Sequence, residues 1–472
     1  MTDAAQRAAT EKLRVAGLHE TSIRAFQSAL RRLQEGEQPF LHSSELEPAP
    51  DVKQLEQLPA ADRSALARTA VIKLNGGLAT SMGLQQPKSL LKVRGDWTFL
   101  DIIIEQTLAL RERYAVKLPL VLMNSQVTRA ATQAALARYP QIATPGIDQD
   151  FLQSMVPKLD AHTLLPVSWP SAPELEWCPP GHGDVYAALV GSGMIDQLLG
   201  QGFRYAMISN ADNLCATLDP RIAAYVEAER IPFLLEVVQG TEADRKGGHL
   251  ARRIADGRLV LRETAQTREE DLDSFRDYKH WRYYNTNTLW IDLELVRERL
   301  ASAEGLELPV IVNRKTVDPR DPASPPVLQL ESAMGAAIGA FEGAHLLQVP
   351  RTRFAPVKTT DDLLLLRSDA YELGPDFQIT PDPERTNGLP YVQLDKRFYA
   401  MIDDFEARFP AGPPSLKAAE RLVVDGDVRF AADVAVHGTA VIEAGDSPVE
   451  LAPGQLIGDI CVGNSKELSG GR

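Results

Sequence analysis

The stretch that decides the fold is Ala70-Val71-Ile72-Lys73-Leu74-Asn75-Gly76-Gly77-Leu78-Ala79-Thr80-Ser81-Met82-Gly83-Leu84-Gln85-Gln86-Pro87-Lys88-Ser89. Its first five residues form a short, mostly apolar run, which predicts a buried strand. Gly76 and Gly77 follow at once, and adjacent glycines let the backbone approach a ligand closely. Consecutive N–H groups in such a turn can cradle phosphate oxygens, and Lys88 adds a mobile positive charge beyond them. The loop matches neither the P-loop, in which Lys follows the last Gly, nor the dinucleotide pattern G-x-G-x-x-G. Taken alone, an ordinary strand-to-helix turn with an exposed lysine is an equally good reading. Past the loop, Thr98-Phe99-Leu100-Asp101 resembles a capping box with Asp in place of Glu, and it predicts that a helix starts there.

Further strand-like runs recur at 204–209, 232–238, 287–291 and 346–349, with another at 118–123. Helical text lies between many of them, including 125–138 and 185–198. That alternation predicts an α/β domain with a mostly parallel sheet, and ligands of such sheets collect at the carboxyl ends of the strands. Residues 3–35 read as helix, with Leu13, Val15, Leu18, Ile23, Phe26, Leu30 and Leu33 on a rough apolar stripe. Residues 36–50, with Pro39, Pro48 and Pro50, read as a connection. A short helix is expected over 58–68. The tail differs. From Val423 the text is turn-rich, Val428, Val434 and Ala440 fall six apart, and Gly426, Gly438 and Gly445 punctuate it. A small β-solenoid is expected there. The division that follows is 1–65 helical, 66–385 α/β and 386–472 β-solenoid.

Composition removes several function classes. With 472 residues, two or three domains are expected. A formal net charge of −14 disfavours binding to nucleic-acid phosphates. Cys178, Cys215 and Cys461 are far apart, so neither a disulfide framework nor a structural zinc site is expected. No apolar stretch reaches the roughly 18 residues that span a bilayer, and the first fourteen residues lack the apolar centre of a secretion signal. The chain reads as cytoplasmic, with no membrane partner.

The phosphate loop resembles that of the eukaryotic-type UTP–glucose-1-phosphate uridylyltransferases, whose pattern is close to L-N-G-G-L-G-T-S-M-G-C-x-x-P-K-S. Ala79 stands where the family has glycine and Leu84 where it has cysteine. Further motifs follow in family order. They are Phe151-Leu152-Gln153-Ser154, Pro179-Pro180-Gly181-His182-Gly183-Asp184, Ser209-Asn210-Ala211-Asp212-Asn213-Leu214 and Asp244-Arg245-Lys246-Gly247-Gly248. Tyr284-Asn285-Thr286-Asn287-Thr288-Leu289-Trp290, Gln329-Leu330-Glu331-Ser332-Ala333-Met334-Gly335 and Val349-Pro350-Arg351-Thr352-Arg353-Phe354-Ala355-Pro356-Val357-Lys358-Thr359-Thr360 complete the series. Thr288 replaces a family Asn. The resemblance implies a Rossmann-like, GT-A-like nucleotidyltransferase with a mixed sheet, a helical N-terminal segment and a C-terminal left-handed β-helix-like domain.

The resemblance also implies roles. Leu74, Asn75, Gly76, Gly77, Gln153, Gly181, Asn210 and Ala211 would bind the nucleotide, with Gln153 against the uracil edge. His182, Asn285, Asn287 and Glu331 would bind the sugar phosphate, Asp212 would hold Mg2+, and Lys88 and Lys358 would carry the catalytic charge. Each residue also has a plainer reading. Gln153 read alone is a surface polar group, Asp184 a helix cap, Asn210 and Asp212 turn formers, and Lys358 a solvated charge. The implied substrates are UTP and glucose 1-phosphate. A sugar phosphate is already anionic at neutral pH, so it needs no general base, which accounts for the lack of a Ser-His-Asp or paired-carboxylate signature. The reaction needs positioning and charge neutralisation instead. Two other readings stay open. One is a UDP-sugar pyrophosphorylase of other or broader specificity, including UDP-N-acetylglucosamine synthesis. The other is a nucleotide-sugar binding protein without catalysis. The tail also allows a homo-oligomer.

Overall fold

The computed structural model describes residues 2–37, 40–61, 63–302, 305–445, 447–458 and 461–463. Pro39 of the expected connection and the end of the tail, 464–472, lie outside the described residues.

An eleven-stranded sheet organises the chain. Its main path runs Lys53–Gln54, His345–Gln348, Phe233–Gln239, Tyr283–Asp292, Tyr205–Asn210, Thr69–Asn75, Leu120–Asn124, Asp150–Leu152. Along this path the strands are parallel except Tyr283–Asp292, which runs antiparallel to both of its neighbours, and the off-path strands Leu46–Pro48, His249–Arg253 and Leu259–Arg262 also pair antiparallel. The sheet is therefore mixed. Alternation along each strand feeds two cores. Val71, Leu122 and Met207 point to one face, where Phe99, Ile102 and Ile103 of the helix Phe99–Tyr114 cover them. Ala70, Ile72, Val121, Met123 and Ile208 point to the other, under Val185, Tyr186 and Leu189. Burial on both faces is why these runs read as nearly continuous apolar text. Removing a Leu- or Ile-sized side chain from water is worth about 1.5–3 kcal/mol.

The helix at Thr98 starts as its sequence requires. The Asp101 N–H donates to Thr98 Oγ1 (3.1 Å), and the Thr98 N–H donates to Asp101 Oδ2 (3.0 Å). Other expected helices are broken. Residues 3–35 form two helices, Thr2–Val15 and Glu20–Gln34, divided where Gly17 takes φ +76°. The pair closes its own core with Ala5, Ala9, Leu13, Ile23, Phe26 and Leu30 against Val156, Leu159, Leu328 and Leu330. Likewise 185–198 becomes Val185–Gly191 and Met194–Gly200, divided at Gly193 with φ +74°. Among the described residues of 58–68, only the 3-10 turn Leu66–Arg68 forms, at the segment's end. That segment follows Pro59, and it is short enough for tertiary contacts to override helix propensity.

In the tail, Tyr391–Leu394, Ser415–Asp425, Ala435–Glu443 and Leu456–Gly458 pair in parallel, and Val428–Phe430 pairs in parallel with Val449–Leu451. Val428, Val434 and Ala440 are all buried. Leu394, Leu416 and Leu422 join the same buried cluster as Phe99 and Leu122, so apolar packing is continuous from the large sheet into the tail. No described helix is long and apolar enough to cross a membrane.

Candidate functional site

The carboxyl ends of Thr69–Asn75 and Tyr205–Asn210 lie side by side, with Leu74 in register with Asn210. The Ala211 N–H donates to the Leu74 carbonyl (3.1 Å), which ties the two strand ends together where the following loops begin. A cleft opens there. Its lining includes all eight expected nucleotide residues: Leu74, Asn75, Gly76, Gly77, Gln153, Gly181, Asn210 and Ala211. Lys88, His182 and Asp212 line it too.

Asn75 contributes only backbone on that side, because its amide donates to Asn124 Oδ1 (2.8 Å) and Thr132 Oγ1 (2.9 Å) in the core. Gln153 is 9% exposed, so it is not the surface residue that its type alone suggests. Its Nε2 donates to the Gly181 carbonyl (2.9 Å), and its Oε1 lies 2.6 Å from where a Cβ on Gly76 would stand. A side chain at 76 would thus push the Gln153 amide out of its place, whereas glycine leaves it there. Gly181 has φ +78°, and a Cβ there would meet the Ser332 carbonyl at 2.5 Å. That contact sets Glu331-Ser332 against the turn. Ala79 needs no glycine-like geometry, since its φ is −77°.

Lys88 Nζ lies 2.8 Å from Asp212 Oδ2 and also donates to the Val357 carbonyl. Lys358 Nζ lies 3.7 Å from the same carboxylate oxygen, and its side chain is 58% exposed. The three residues that the sequence singles out for charge therefore meet at one point. The Asp212 carbonyl accepts from the Val357 N–H (3.1 Å), which docks the 349–358 strap on the loop that carries Asp212. Asp212 Oδ1 and Ser89 Oγ are buried without a hydrogen-bond partner. A buried carboxylate oxygen left unpaired is costly, and a carboxylate beside a phosphate cradle is the kind of donor that a divalent cation takes.

His182 accepts the Met334 N–H at Nδ1 (3.0 Å). Burial, reinforced by Lys358, pushes its pKa down to about 4. The ring is thus neutral near pH 7, with its proton on Nε2 as a donor. Asp184 does not cap the helix as expected, since its side chain makes no cap bond. Asn285 and Asn287 clasp each other, Nδ2 to Oδ1 at 3.0 Å. They sit beside Thr288, which is buried opposite Ser209. Neither lines the cleft itself.

Several residues of the site escaped the sequence reading. Arg353 forms a buried pair with Glu236 (3.0 Å), and Glu236 also accepts from Trp290 Nε1 (2.9 Å). Arg351 pairs with Asp244 (2.8 Å). These two arginines pin the strap from which Lys358 projects. Glu263 packs against Gly248 and hydrogen-bonds Asn285, and burial raises its pKa. Lys73 donates to Ser209 Oγ (2.8 Å) and the Ala216 carbonyl (2.8 Å), bracketing the Asp212 loop from below. A signal for two of them was present: one charge inside an apolar strand, as in Ile72-Lys73-Leu74 or Leu235-Glu236-Val237, demands a partner.

Burial, with repulsion from Arg353, lowers the Lys73 pKa from an ordinary 10.5 to about 7. Between those values the folded chain holds fewer protons than the unfolded one, so this group makes stability rise with pH across the window. Lys73→Met is expected to remove that rise, of at most about 1.4 kcal/mol per pH unit. Urea unfolding of both proteins near pH 7 and pH 9 reads the difference.

The family model described as UTP–glucose-1-phosphate uridylyltransferase matches residues 23–437. The Saccharomyces cerevisiae UTP–glucose-1-phosphate uridylyltransferase is 38% identical over 407 residues, covering 86% of this chain and 80% of that one. The Hordeum vulgare protein of the same name is 39% identical over 386 residues, 81% and 78% of the two chains. Among solved structures, a mutant of the Leishmania major UDP-glucose pyrophosphorylase in complex with UDP-glucose superposes with a TM-score of 0.92 at 42% identity, covering 97% of this chain and 99% of that one. The Trypanosoma brucei UDP-glucose phosphorylase gives 0.89 at 41%, covering 97% and 99%. With its sheet, cleft and motifs in the family's order, the chain belongs to the UTP–glucose-1-phosphate uridylyltransferase family.

Proposed function

We propose that the chain transfers the uridylyl group of UTP to glucose 1-phosphate, giving UDP-glucose and pyrophosphate. The observation that carries this reading is the meeting of Lys88, Asp212 and Lys358 at the mouth of a glycine-walled cleft. Gln153 and Gly181 lie at one side of that cleft, where an amide and a backbone can offer a donor and an acceptor to a pyrimidine edge. Gly76 and Gly77 receive the phosphates. Lys88 neutralises the triphosphate, and Lys358, with an exposed side chain, neutralises the α-phosphate and the incoming sugar phosphate. His182 donates its Nε2 proton to a phosphate or sugar oxygen. Asn285, Asn287, Glu331 and the newly found Glu263 offer amides and carboxylates to sugar hydroxyls.

Mg2+ fits Asp212, whose Oδ1 is buried and unpartnered. The donor set of one carboxylate plus substrate phosphates suits this ion. When bound, it would neutralise phosphate charge. The protein's own part is to hold the attacking oxygen of the sugar phosphate in line with the departing pyrophosphate. No side chain needs to attack or to abstract a proton.

The same reading takes 1–65 as the helical N-terminal segment and 66–385 as the nucleotidyltransferase domain. It takes 386–472 as a left-handed β-helix, supported by the parallel ladders of the tail. For the sugar, Thr288 is the departure that leaves room for other substrates. Thr288 is buried opposite Ser209 and does not line the cleft, which supports glucose, because the change leaves the cleft lining as it is. UTP, Mg2+ and a panel of sugar 1-phosphates test this. Glucose 1-phosphate is expected to exceed galactose and N-acetylglucosamine 1-phosphates by about tenfold or more in kcat/KM, as rejection by unpaired buried polar groups would give. Equal rates across the panel would support the broad-specificity reading instead.

A further inference from the structure

A line of three side chains runs from the N-terminal helices to the base end of the cleft. Ser22, on the helix Glu20–Gln34, is buried, and its Oγ lies 2.9 Å from Ser154 Oγ. The Ser154 N–H donates to Asp184 Oδ2 (2.7 Å). Ser154 directly follows Gln153, and Asp184 lies three residues after Gly181, the residue to which Gln153 donates. Thr21 Oγ1 donates to the Ala187 carbonyl (3.2 Å), so the same helix also grips the first turn after Asp184. On the far side, Ser332 accepts from the Gly183 N–H and donates its own N–H to the Pro180 carbonyl, both at 2.9 Å.

Asp184 needs an explanation. Its carboxylate is buried, makes no cap bond to the helix that follows and pairs with no cation among the described residues, and burying a carboxylate costs free energy unless donors repay it. Burial raises its pKa to about 6, and the donors it finds belong to Ser154. That bond fixes the backbone at 154, and with it the direction in which the Gln153 amide projects.

We propose that Asp184 and Ser22 are positioning residues for the nucleotide base, acting through Ser154 to hold Gln153 against Gly181, so that the N-terminal helices take part in nucleotide selection. This rests on the uridylyltransferase reading for the identity of the nucleotide. A purely architectural role would lower stability or all kinetic constants together. A positioning role concentrates the loss on the nucleotide.

Full-length Asp184→Ala, Asp184→Asn and Ser22→Ala are assayed with both substrates varied. Losing a hydrogen bond to a charged group predicts a UTP KM raised about tenfold in Asp184→Ala, with kcat and the glucose 1-phosphate KM within about threefold of wild type. Asp184→Asn is expected to recover most of the loss, because its amide oxygen can still accept the Ser154 N–H. Ser22→Ala is expected to raise the UTP KM about threefold and to narrow the preference for UTP over CTP by a similar factor. If Asp184→Ala does not fold, Ser22→Ala and Asp184→Asn carry the test. An unmoved UTP KM in Ser22→Ala, or equal shifts in both substrates' KM, would overturn the proposal. If wild type binds UTP calorimetrically but makes no UDP-glucose, the functional reading fails while the UTP affinities of the variants still decide this one. If wild type does not bind UTP, both fall.

Discussion

Lys358→Ala is expected to cut turnover about 10²–10³-fold while the melting temperature stays within a degree or two of wild type. Both halves come from the same geometry. Lys358 Nζ is 3.7 Å from Asp212, and its side chain is 58% exposed. An ion pair that wet contributes little to stability, commonly under about 1 kcal/mol. The strap does not depend on it either, because Arg351–Asp244, Arg353–Glu236 and the Val357 N–H to the Asp212 carbonyl hold it in place. Its charge counts only when two anionic substrates are pressed together, and loss of one such stabilising group typically costs about 10²–10³ in rate. Lys358→Arg keeps charge on a bulkier fork and is expected to restore activity only in part. Normal turnover in Lys358→Ala, measured as pyrophosphate release alongside a thermal melt, would remove Lys358 from the reaction.

The second large effect is expected at Asp212. Asp212→Ala should cut turnover by about 10²–10³-fold or more and, more tellingly, remove the dependence of the residual rate on Mg2+. Its Oδ2 holds Lys88 and faces Lys358, while Oδ1 is buried with no partner. Removing the carboxylate leaves two lysines facing each other, so UTP is expected to bind as well as before or better even as chemistry fails. Asp212→Asn separates charge from shape: the amide can still accept from Lys88 but ligates Mg2+ poorly, so its Mg2+ response should also be lost. Mg2+ titrations of residual activity, paired with calorimetry of UTP binding, read both. A variant that responds to Mg2+ as wild type does would refute Asp212 as the metal carboxylate.

Much of this site was legible because its chemistry is local in sequence. Gly76-Gly77 marks a turn and Thr98…Asp101 a helix start, since both depend on neighbours a few residues away, and the family resemblance made the turn a phosphate cradle. The reversed strand Tyr283–Asp292 was not legible from its residues. A strand buried on both faces reads alike in either direction, and the resemblance alone implied a mixed sheet. Helix breaks at Gly17 and Gly193 were missed because a glycine costs a helix only about 1 kcal/mol, and tertiary packing decides whether the break is used. Gln153 read as surface by type, yet it is buried by partners that come from 76 and 181. Glu236 and Arg353 lie more than a hundred residues apart, so neither could name the other, although a lone charge in Leu235-Glu236-Val237 demands a partner somewhere. The convergence of Lys88, Asp212 and Lys358 is of the same long-range kind, and there the family's motif order supplied what spacing could not.

The pinned strap also separates two kinds of damage. Changes at Glu236 or Arg353 break a buried pair and are expected to act through folding, because removing one partner strands the other charge. Changes at Lys358 are expected to act through rate.

At the centre of the account is direct transfer: the sugar phosphate attacks the α-phosphorus while positioned charge, and no protein nucleophile, lowers the barrier. UTP made chiral at the α-phosphorus by sulfur substitution tests this in one measurement, the configuration of the UDP-glucose formed. A single in-line displacement predicts inversion. Retention would mean two displacements through a uridylylated side chain, and would contradict the account.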